Sequence, residues 1–308
     1  MRLFLPITFV IIVFSSQLFG QEMNGFRLKG AIIPVRDIKS GGPPRDGIPA
    51  INSPVFEKAA VADYPSDQDR ILGVEINGIA KAYPIGILNY HEIVNDYFDD
   101  APVVITYCPL CGSGVAFHAR IVDKNRTFGV SGLLYNSDVL LYDRESESLW
   151  SQIMGQAVTG PLKDTKLEII PTYYTTWKDW RERYPQTLVL TTKTGFLRDY
   201  QRTPYVGYDQ SEALYFPVDK LNRSYHPKER ILGIEVNGKY KAYPFSELQK
   251  SNNQFWDTFN GQKLRILFDK DQQSARILNE QGQEIPSYVS FWFAWAAFHK
   301  NTEVYKAN

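Results

Sequence analysis

The residues best suited to chemistry are Cys108 and Cys111, which are the only two cysteines of the chain. They follow an apolar run, and residues 107–112 read YCPLCG. In a Cys-Pro-x-Cys-Gly turn, two thiolates can accept backbone N–H bonds and bind one soft or borderline metal ion. The spacing therefore predicts a metal site.

One such turn supplies two ligands, whereas a tetrahedral ion needs further ones. His91 and His118 are the nearest candidates in the sequence. A set of thiolates and imidazoles would suit one copper or zinc ion.

Two other interpretations of the cysteine pair stay open. A Cys-x-x-Cys pair after a strand can exchange disulfides, but the stretch that follows Cys111 alternates like a strand, so the helix dipole that lowers a thiol pKa is missing. In an exported protein the pair can also form a disulfide that braces a turn, although so small a loop gives little stabilisation.

The chain also offers polar residues that could line a cleft beside the cysteines. Ser131, Asn136, Ser137 and Asp138 lie in a segment, 131–152, that the second half of the chain lacks, and Tyr107 precedes the first cysteine. The structural alternative for the cluster at 136–138 is a hairpin loop with local side-chain hydrogen bonds. The functional interpretation is that this segment lines the same cleft as the cysteines, because it occurs only in the half that holds them; both interpretations stay open, with the structural one ahead.

Composition narrows the class of protein. Lys plus Arg and Asp plus Glu number 34 each, so the chain lacks the positive charge that nucleic acid or an anionic membrane surface would attract. Aromatic residues make up 14%, which favours β structure. The nucleotide-binding loop, the Ser-His-Asp pattern and the His-Glu-x-x-His motif are absent from the sequence.

The first 20 residues resemble a secretory signal peptide. Met1 and Arg2 precede an apolar run that reaches Phe14, and a small residue, Gly20, comes before a polar start. We therefore expect cleavage near Gly20, a periplasmic or secreted mature protein, and no stable membrane insertion after cleavage. An uncleaved anchor is the alternative.

An internal repeat organises the remainder. Residues 69–85 (DRILGVEINGIAKAYPI) match residues 229–245 (ERILGIEVNGKYKAYPF) at 11 of 17 positions, with an offset of 160. A second pair of segments, from Thr175 and from Ser290, aligns their Trp-x-x-Trp motifs at an offset of 115. The first copy therefore holds about 45 residues that the second copy lacks. The second copy has Asp269 and Gln272 where the cysteines would fall.

Local signals define elements within each copy. Asn77-Gly78 and Asn237-Gly238 predict type I′ hairpins. The spacing of apolar residues after Pro84 predicts a short helix that carries His91. Thr175 or Thr176 is a candidate N-cap for another helix, which carries the first tryptophan pair, Trp177 and Trp180.

The expected fold is β-rich α+β, with two diverged tandem repeats, each with a β-hairpin, mostly antiparallel sheet and short helices. The predicted segments are a signal peptide (1–20), an irregular N-terminal arm (21–68), the first repeat with the Cys-x-x-Cys site (69–192), a connection (193–228) and a second, degenerate repeat (229–308).

Several motifs in order resemble a known bacterial family, the domain-of-unknown-function family numbered 3179. They are HEIVND (91–96), YCPLCG (107–112), FGVSG (128–132), NSD (136–138), YDR (142–144) and LWSQ (149–152). The resemblance covers nearly all of the mature chain and implies kinship without a settled activity. It implies that His91 and both cysteines belong to the family pattern and that His118 does not. Further ligands would then come from water, Glu92 or Asp138.

The sequence therefore predicts an extracytoplasmic protein with a site built on Cys108, Cys111 and His91, which binds copper or zinc. The alternatives are a thiol-disulfide redox protein and a ligand-binding or scaffold module with a structural disulfide. The substrate, the partners and any reaction stay open.

Overall fold

The structure is a computed structural model that describes residues 22–307. These residues form several mostly antiparallel sheets and a few short helices. The predicted signal peptide, 1–20, lies outside the described residues. Within them, no helix has the length and apolar character needed to cross a membrane.

The strands before residue 192 are β1 Glu22–Met23, β2 Phe26–Arg27, β3 Ile38–Ser40, β4 Phe56–Lys58, β5 Arg70–Ile76, β6 Ile79–Pro84, β7 Ile93–Phe98, β8 Ala101–Cys108, β9 Ser113–His118, β10 Arg120–Ile121, β11 Lys124–Asn125, β12 Phe128–Tyr135, β13 Asp138–Asp143, β14 Leu149–Ser151, β15 Gln156–Ala157, β16 Ile169–Ile170, β17 Tyr173–Thr176 and β18 Leu188–Leu190. Those after it are β19 Arg230–Val236, β20 Lys239–Pro244, β21 Gln254–Phe259, β22 Gln262–Asp269, β23 Ser274–Leu278, β24 Ser287–Phe291 and β25 Glu303–Val304. The α-helices are α1 Ile85–His91, α2 Trp177–Arg183, α3 Phe245–Leu248 and α4 Trp292–Phe298, and single 3-10 turns occupy Val35–Asp37, Ala59–Val61 and Tyr208–Gln210.

Two sheets in different parts of the chain have the same order and directions over four strands, and the first sheet has β4 as a fifth strand. The first has the order β17-β5-β6-β18-β4, and the second has the order β24-β19-β20-β25. In each, an antiparallel hairpin (β5-β6 or β19-β20) is followed by a parallel partner (β18 or β25). Positive φ angles at Asn77, Gly78, Asn237 and Gly238 confirm the two predicted type I′ turns.

The same packing contact recurs in both sheets. The indole of Trp180 lies on Gly73, and the indole of Trp295 lies on Gly233, and at either glycine an added Cβ would overlap the ring. Each indole N–H donates to a threonine hydroxyl at 2.9 Å. A glycine is needed at each position because the ring occupies the volume of a side chain.

Two smaller antiparallel sheets follow the hairpins, with orders β16-β9-β8-β7 and β21-β22-β23. A further sheet, β15-β14-β13-β12-β3, lies in the first part of the chain. The predicted irregular arm contributes β3 to this sheet and β4 to the β5-β6 sheet. The turn between β8 and β9 and the turn between β12 and β13 bring the candidate residues together.

Candidate metal site

The first wall of the site is the turn between β8 and β9. Cys108 is the last residue of β8, and the N–H of Cys111 donates to the carbonyl of Cys108 at 3.2 Å. Gly112 follows with a φ of +57°, which L side chains rarely adopt. Both cysteines are free thiols, and their exposed fractions are 1% and 0%.

A residue from the C-terminal part of the chain holds this turn in place. The backbone N–H of Phe291, the last residue of β24, donates to the carbonyl of Cys111 at 2.7 Å. Its ring covers Gly112, where a Cβ would lie 2.9 Å from ring carbons. The geometry of the cysteine turn therefore depends on both parts of the chain.

The second wall is the two-residue turn between β12 and β13. Asn136 and Ser137 have φ angles of 49° and 66°, and Tyr135 pairs with Asp138, which defines a type I′ hairpin. The carbonyl oxygen of Ser137 lies 3.8 Å from the sulfur of Cys108 and 3.3 Å from that of Cys111. The sequence predicted backbone N–H bonds to the sulfurs; among residues 22–307 none is formed, and the thiols instead point toward this carbonyl.

Cys108, Cys111 and Asp138 form one compact group of potential metal ligands, with one donor atom of each within 4.8 Å of the other two. All three side chains are buried. Zinc bonds of about 2.3 Å to sulfur and about 2.1 Å to oxygen at tetrahedral angles would place such donors roughly 3.6–3.8 Å apart. The group is therefore compact enough for one ion.

Asp138 presents an unpaired acceptor inside this group. One carboxylate oxygen, Oδ2, accepts from the N–H of Ile153 at 3.1 Å and from the hydroxyl of Ser151 at 3.4 Å. The other oxygen, Oδ1, is buried and has no hydrogen-bond partner among the described residues. A buried carboxylate oxygen without a partner is costly unless something else binds it.

The acidic groups at the site are not paired with a basic side chain of the described residues. Burial raises the pKa of Asp138 to about 7. Burial, helped by the charge of Asp138, raises the pKa of Glu92 to about 8. The pKa of Cys111 lies well above its usual value because of burial and then because of the neighbouring Cys108, Asp138 and Glu92. Neither carboxyl group forms an ion pair with any described residue, and the raised pKa values mean that the empty site favours the protonated, neutral acids, whereas a bound cation would favour their charged forms.

Behind the cysteine turn lies a buried polar network. The hydroxyl of Ser113 donates to Gln152 Oε1 at 2.6 Å, and Gln152 Nε2 donates to the hydroxyl of Thr106 at 2.9 Å. Thr106 in turn donates to the carbonyl of Val115 at 2.7 Å. These contacts join β8, β9 and the segment after β14, and they fix the strands that carry the cysteines.

A small cavity of about 170 Å³ adjoins the group. Glu92 is the charged residue in its lining, and Leu110, Val139, Tyr205 and Phe216 supply apolar surface. The three candidate ligands do not line it, although their neighbours do. Glu92 therefore borders this cavity and lies close enough to Asp138 for the charge of Asp138 to raise the pKa of Glu92.

The structure does not bring His91 into the group. Helix α1 ends at His91, and Glu92 then adopts a φ of 58°, so the two neighbouring side chains face different surroundings. The Nδ1 of His91 lies 2.7 Å from the carbonyl of Pro49, and its Nε2 lies 2.7 Å from the hydroxyl of Tyr200. The carbonyl can only accept, so Nδ1 carries the proton and the lone pair of Nε2 accepts from Tyr200.

We therefore expect His91→Gln to leave zinc affinity within about twofold of the parent while lowering the free energy of unfolding by about 1–3 kcal/mol, because a buried hydrogen-bond pair is lost. Competition with a chromophoric chelator measures the affinity, and urea denaturation measures the stability. A hundredfold loss of zinc affinity in this variant would place His91 among the ligands.

The other predicted residues occupy three different environments. His118 ends β9, five residues beyond Ser113, which is about 16 Å along an extended strand from the cysteine turn. Tyr107 is buried, and its N–H donates to the carbonyl of Glu92 at 2.7 Å. Ser131 lies at an irregularity of β12, where its hydroxyl accepts from the N–H of Leu133 at 3.0 Å.

Fold and site together define a β-rich protein with a buried, acid-rich cysteine pair. The chain matches the family described as "Protein of unknown function (DUF3179)" over residues 45–302, which is most of its length, and it belongs to that family. No curated protein and no solved structure matches the chain.

Proposed function

We propose that Cys108, Cys111 and Asp138 bind one transition-metal ion and that zinc is the ion best suited to them. The observation that carries this proposal is the buried Asp138 carboxyl group, which lies beside two buried sulfurs and has one oxygen, Oδ1, without a hydrogen-bond partner among the described residues. A cation would satisfy that oxygen and neutralise the charge of deprotonated ligands. The Ser137 carbonyl, or a water molecule near Glu92, would complete the coordination.

The mixed donor set favours zinc over copper(I). Thiolates alone suit copper(I), whereas a carboxylate oxygen is a harder ligand that zinc, a borderline ion, accepts together with sulfur. A set of thiolates and imidazoles predicts copper or zinc. The position of Asp138 beside the cysteines supports zinc.

Burial argues against thiol-disulfide exchange with a protein partner. Exchange requires the attacking sulfur to approach another sulfur directly, and both sulfurs are at most 1% exposed. The other alternative is a disulfide that only braces a turn. It does not explain why two acidic residues, Glu92 and Asp138, are buried close to the cysteines. A brace would need neither carboxylate, and each buried carboxyl group costs stability when it ionises.

We also propose that the protein is exported. The apolar N-terminal run supports this localisation, and a bound ion would keep a close cysteine pair reduced in an oxidising compartment. The matching strand orders of the β5-β6 and β19-β20 sheets support the further proposal that the two parts are diverged copies of one unit.

The direct test is metal analysis by mass spectrometry on the full chain secreted to the periplasm of a bacterial host. We expect about one zinc per chain, and less than a tenth of that in a Cys108→Ser/Cys111→Ser variant. One equivalent of copper instead would overturn the choice of zinc. Absence of metal, with two thiols that appear only after reduction, would overturn the metal site.

A further inference from the structure

A second cavity is lined in part by Phe291, the residue whose ring covers Gly112 in the cysteine turn. It has a volume of about 490 Å³ and is lined by Arg230, His226, Lys228, Phe245, Gln249 and Phe291, among others. We call it the Arg230 cleft. Its size is within the range of small-molecule sites.

The guanidinium of Arg230 has no hydrogen bond and no ion pair with any residue in the described range, 22–307. Arg70 holds the same place in the other sheet, since each begins its hairpin and pairs with the last residue of the neighbouring strand, Thr176 or Phe291. Arg70 donates to the carbonyl of Gln272. In the repeat alignment the residue that corresponds to Gln272 is Cys111, and Arg230 forms no hydrogen bond to its carbonyl, which accepts from the N–H of Phe291.

Two arginines, Arg70 and Arg230, contact the ring of Tyr174. The guanidinium carbons of Arg70 and Arg230 lie 5.6 Å and 5.2 Å from the centroid of the Tyr174 ring. Burial and the positive charge of Arg230 lower the pKa of Arg70. An anion beside Arg230 would relieve this repulsion.

The other charged residues of the cleft form no ion pair with Arg230 in the described part of the chain, although the charges of Tyr174, Tyr107, Asp209 and Glu229 raise the pKa of Arg230. Lys228 donates to the carbonyls of Ser211 and Ala213 at 2.8 Å each. Glu229 accepts from the N–H of Ser246 at 2.7 Å, and neither it nor the exposed Asp209 forms an ion pair within the described part of the chain. The free N–H donors of Arg230 therefore lie near two negative charges, those of Asp209 and Glu229. These charges would repel a ligand that carries more than one negative charge.

The cleft contains a second hydrogen-bond donor, and aromatic rings line part of it. The Nδ1 of His226 accepts from the N–H of Lys228 at 3.1 Å, so in the neutral ring the proton is on Nε2, which can donate. Phe245 and Phe291 line part of the cleft with the small fractions of their surfaces that stay exposed, 6% and 4%. The forked N–H groups of an arginine match a carboxylate, and aromatic walls favour an apolar or aromatic body.

We propose that the Arg230 cleft binds a small monocarboxylate with an apolar or aromatic body, with its carboxylate on Arg230 and its body against Phe245 and Phe291. A phosphate would be weaker because its second negative charge would face Asp209 and Glu229. The proposal does not rest on the proposed metal site, although Phe291 contacts both the cleft and the cysteine turn.

Isothermal titration calorimetry on the full chain tests the proposal with three probes: benzoate, its uncharged analogue benzamide, and inorganic phosphate. We expect saturable binding of benzoate, at least tenfold weaker binding of phosphate, and no measurable binding of benzamide. Arg230→Gln should weaken benzoate at least tenfold, because a charged hydrogen-bond pair is lost. Arg223→Gln, which removes an exposed arginine, should change it less than twofold.

Equal binding of benzoate and benzamide, or equal binding of benzoate by the parent and Arg230→Gln, would overturn the proposal. Tighter binding of phosphate would overturn the carboxylate class. If Arg230→Gln melts more than 10 °C below the parent, Arg230→Lys replaces it, and full retention of benzoate affinity there would overturn the forked contact. The Cys108→Ser/Cys111→Ser variant should bind benzoate like the parent, which separates this result from the metal site.

Discussion

Replacing Cys111 with serine should lower the affinity of the protein for zinc by at least a hundredfold. The variant removes one of two thiolates from a three-residue set, and the serine hydroxyl does not deprotonate near neutral pH to replace it. The buried position excludes a new ligand from solvent because Cys111 is 0% exposed. Competition with a chromophoric zinc chelator under reducing conditions measures the effect.

Ser137→Ala is the matched control for this experiment. It alters the same cluster and removes a buried hydroxyl that has no hydrogen-bond partner among the described residues, but it keeps the Ser137 carbonyl. Its zinc affinity should stay within about threefold of the parent. Equal zinc affinity in Cys111→Ser and in the parent would contradict the ligand assignment.

The metal-free protein should lose stability as the pH rises from 5 to 9. The pKa values of Glu92 and Asp138 are about 8 and about 7 in the folded protein, above their ordinary values, so the folded state holds more protons than the unfolded state between the ordinary and the raised values. A raised acid pKa stabilises most at low pH, and the stabilisation disappears as the pH passes the folded pKa. A tenfold change in proton affinity corresponds to about 1.4 kcal/mol, so the loss should reach several kcal/mol.

Urea denaturation at pH 5, 7 and 9, with chelator and reductant, measures this slope. Glu92→Gln should flatten it because the amide does not titrate, and one equivalent of zinc should reverse it because the metal displaces the protons. If the metal-free parent is equally stable, or more stable, at pH 9 than at pH 5, the two carboxyl groups do not share a site that disfavours negative charge.

Local rules predicted the elements whose conformation is set by a few adjacent residues. The Asn-Gly turns formed as expected, and Thr176 caps α2 by accepting from the N–H of Asp179. The apolar run before Cys108 and the alternating stretch after Cys111 also form strands, β8 at Ala101–Cys108 and β9 at Ser113–His118, although the second strand ends before Val122, where the alternation ends.

The helix after Pro84 shows where periodicity fails. The spacing of Ile93 and Val94 continued a helical pattern, but α1 ends at His91 and both residues lie in β7. A strand that is buried on both faces presents consecutive apolar residues, so its pattern overlaps with that of a helix. The positive φ of Glu92 marks the change of direction.

The role of Asp138 depends on contacts between distant segments. The sequence indicated a polar turn at 136–138 beside the cysteines, because only the first half of the chain holds both. It did not show that the β12-β13 turn lies against the β8-β9 turn, which follows from sheet packing and from the Phe291 contact. The hydrogen bond between Ser113 and Gln152 behind the turn was not predicted, although the LWSQ motif contains Gln152.

X-ray absorption at the zinc edge, on the full chain with one equivalent of zinc, tests the metal site most directly. We predict two sulfur ligands at about 2.3 Å and one or two oxygen ligands at about 2.0–2.2 Å, with one sulfur lost in Cys111→Ser. A spectrum of nitrogen and oxygen ligands alone, unchanged in Cys111→Ser, would contradict the cysteine and aspartate site.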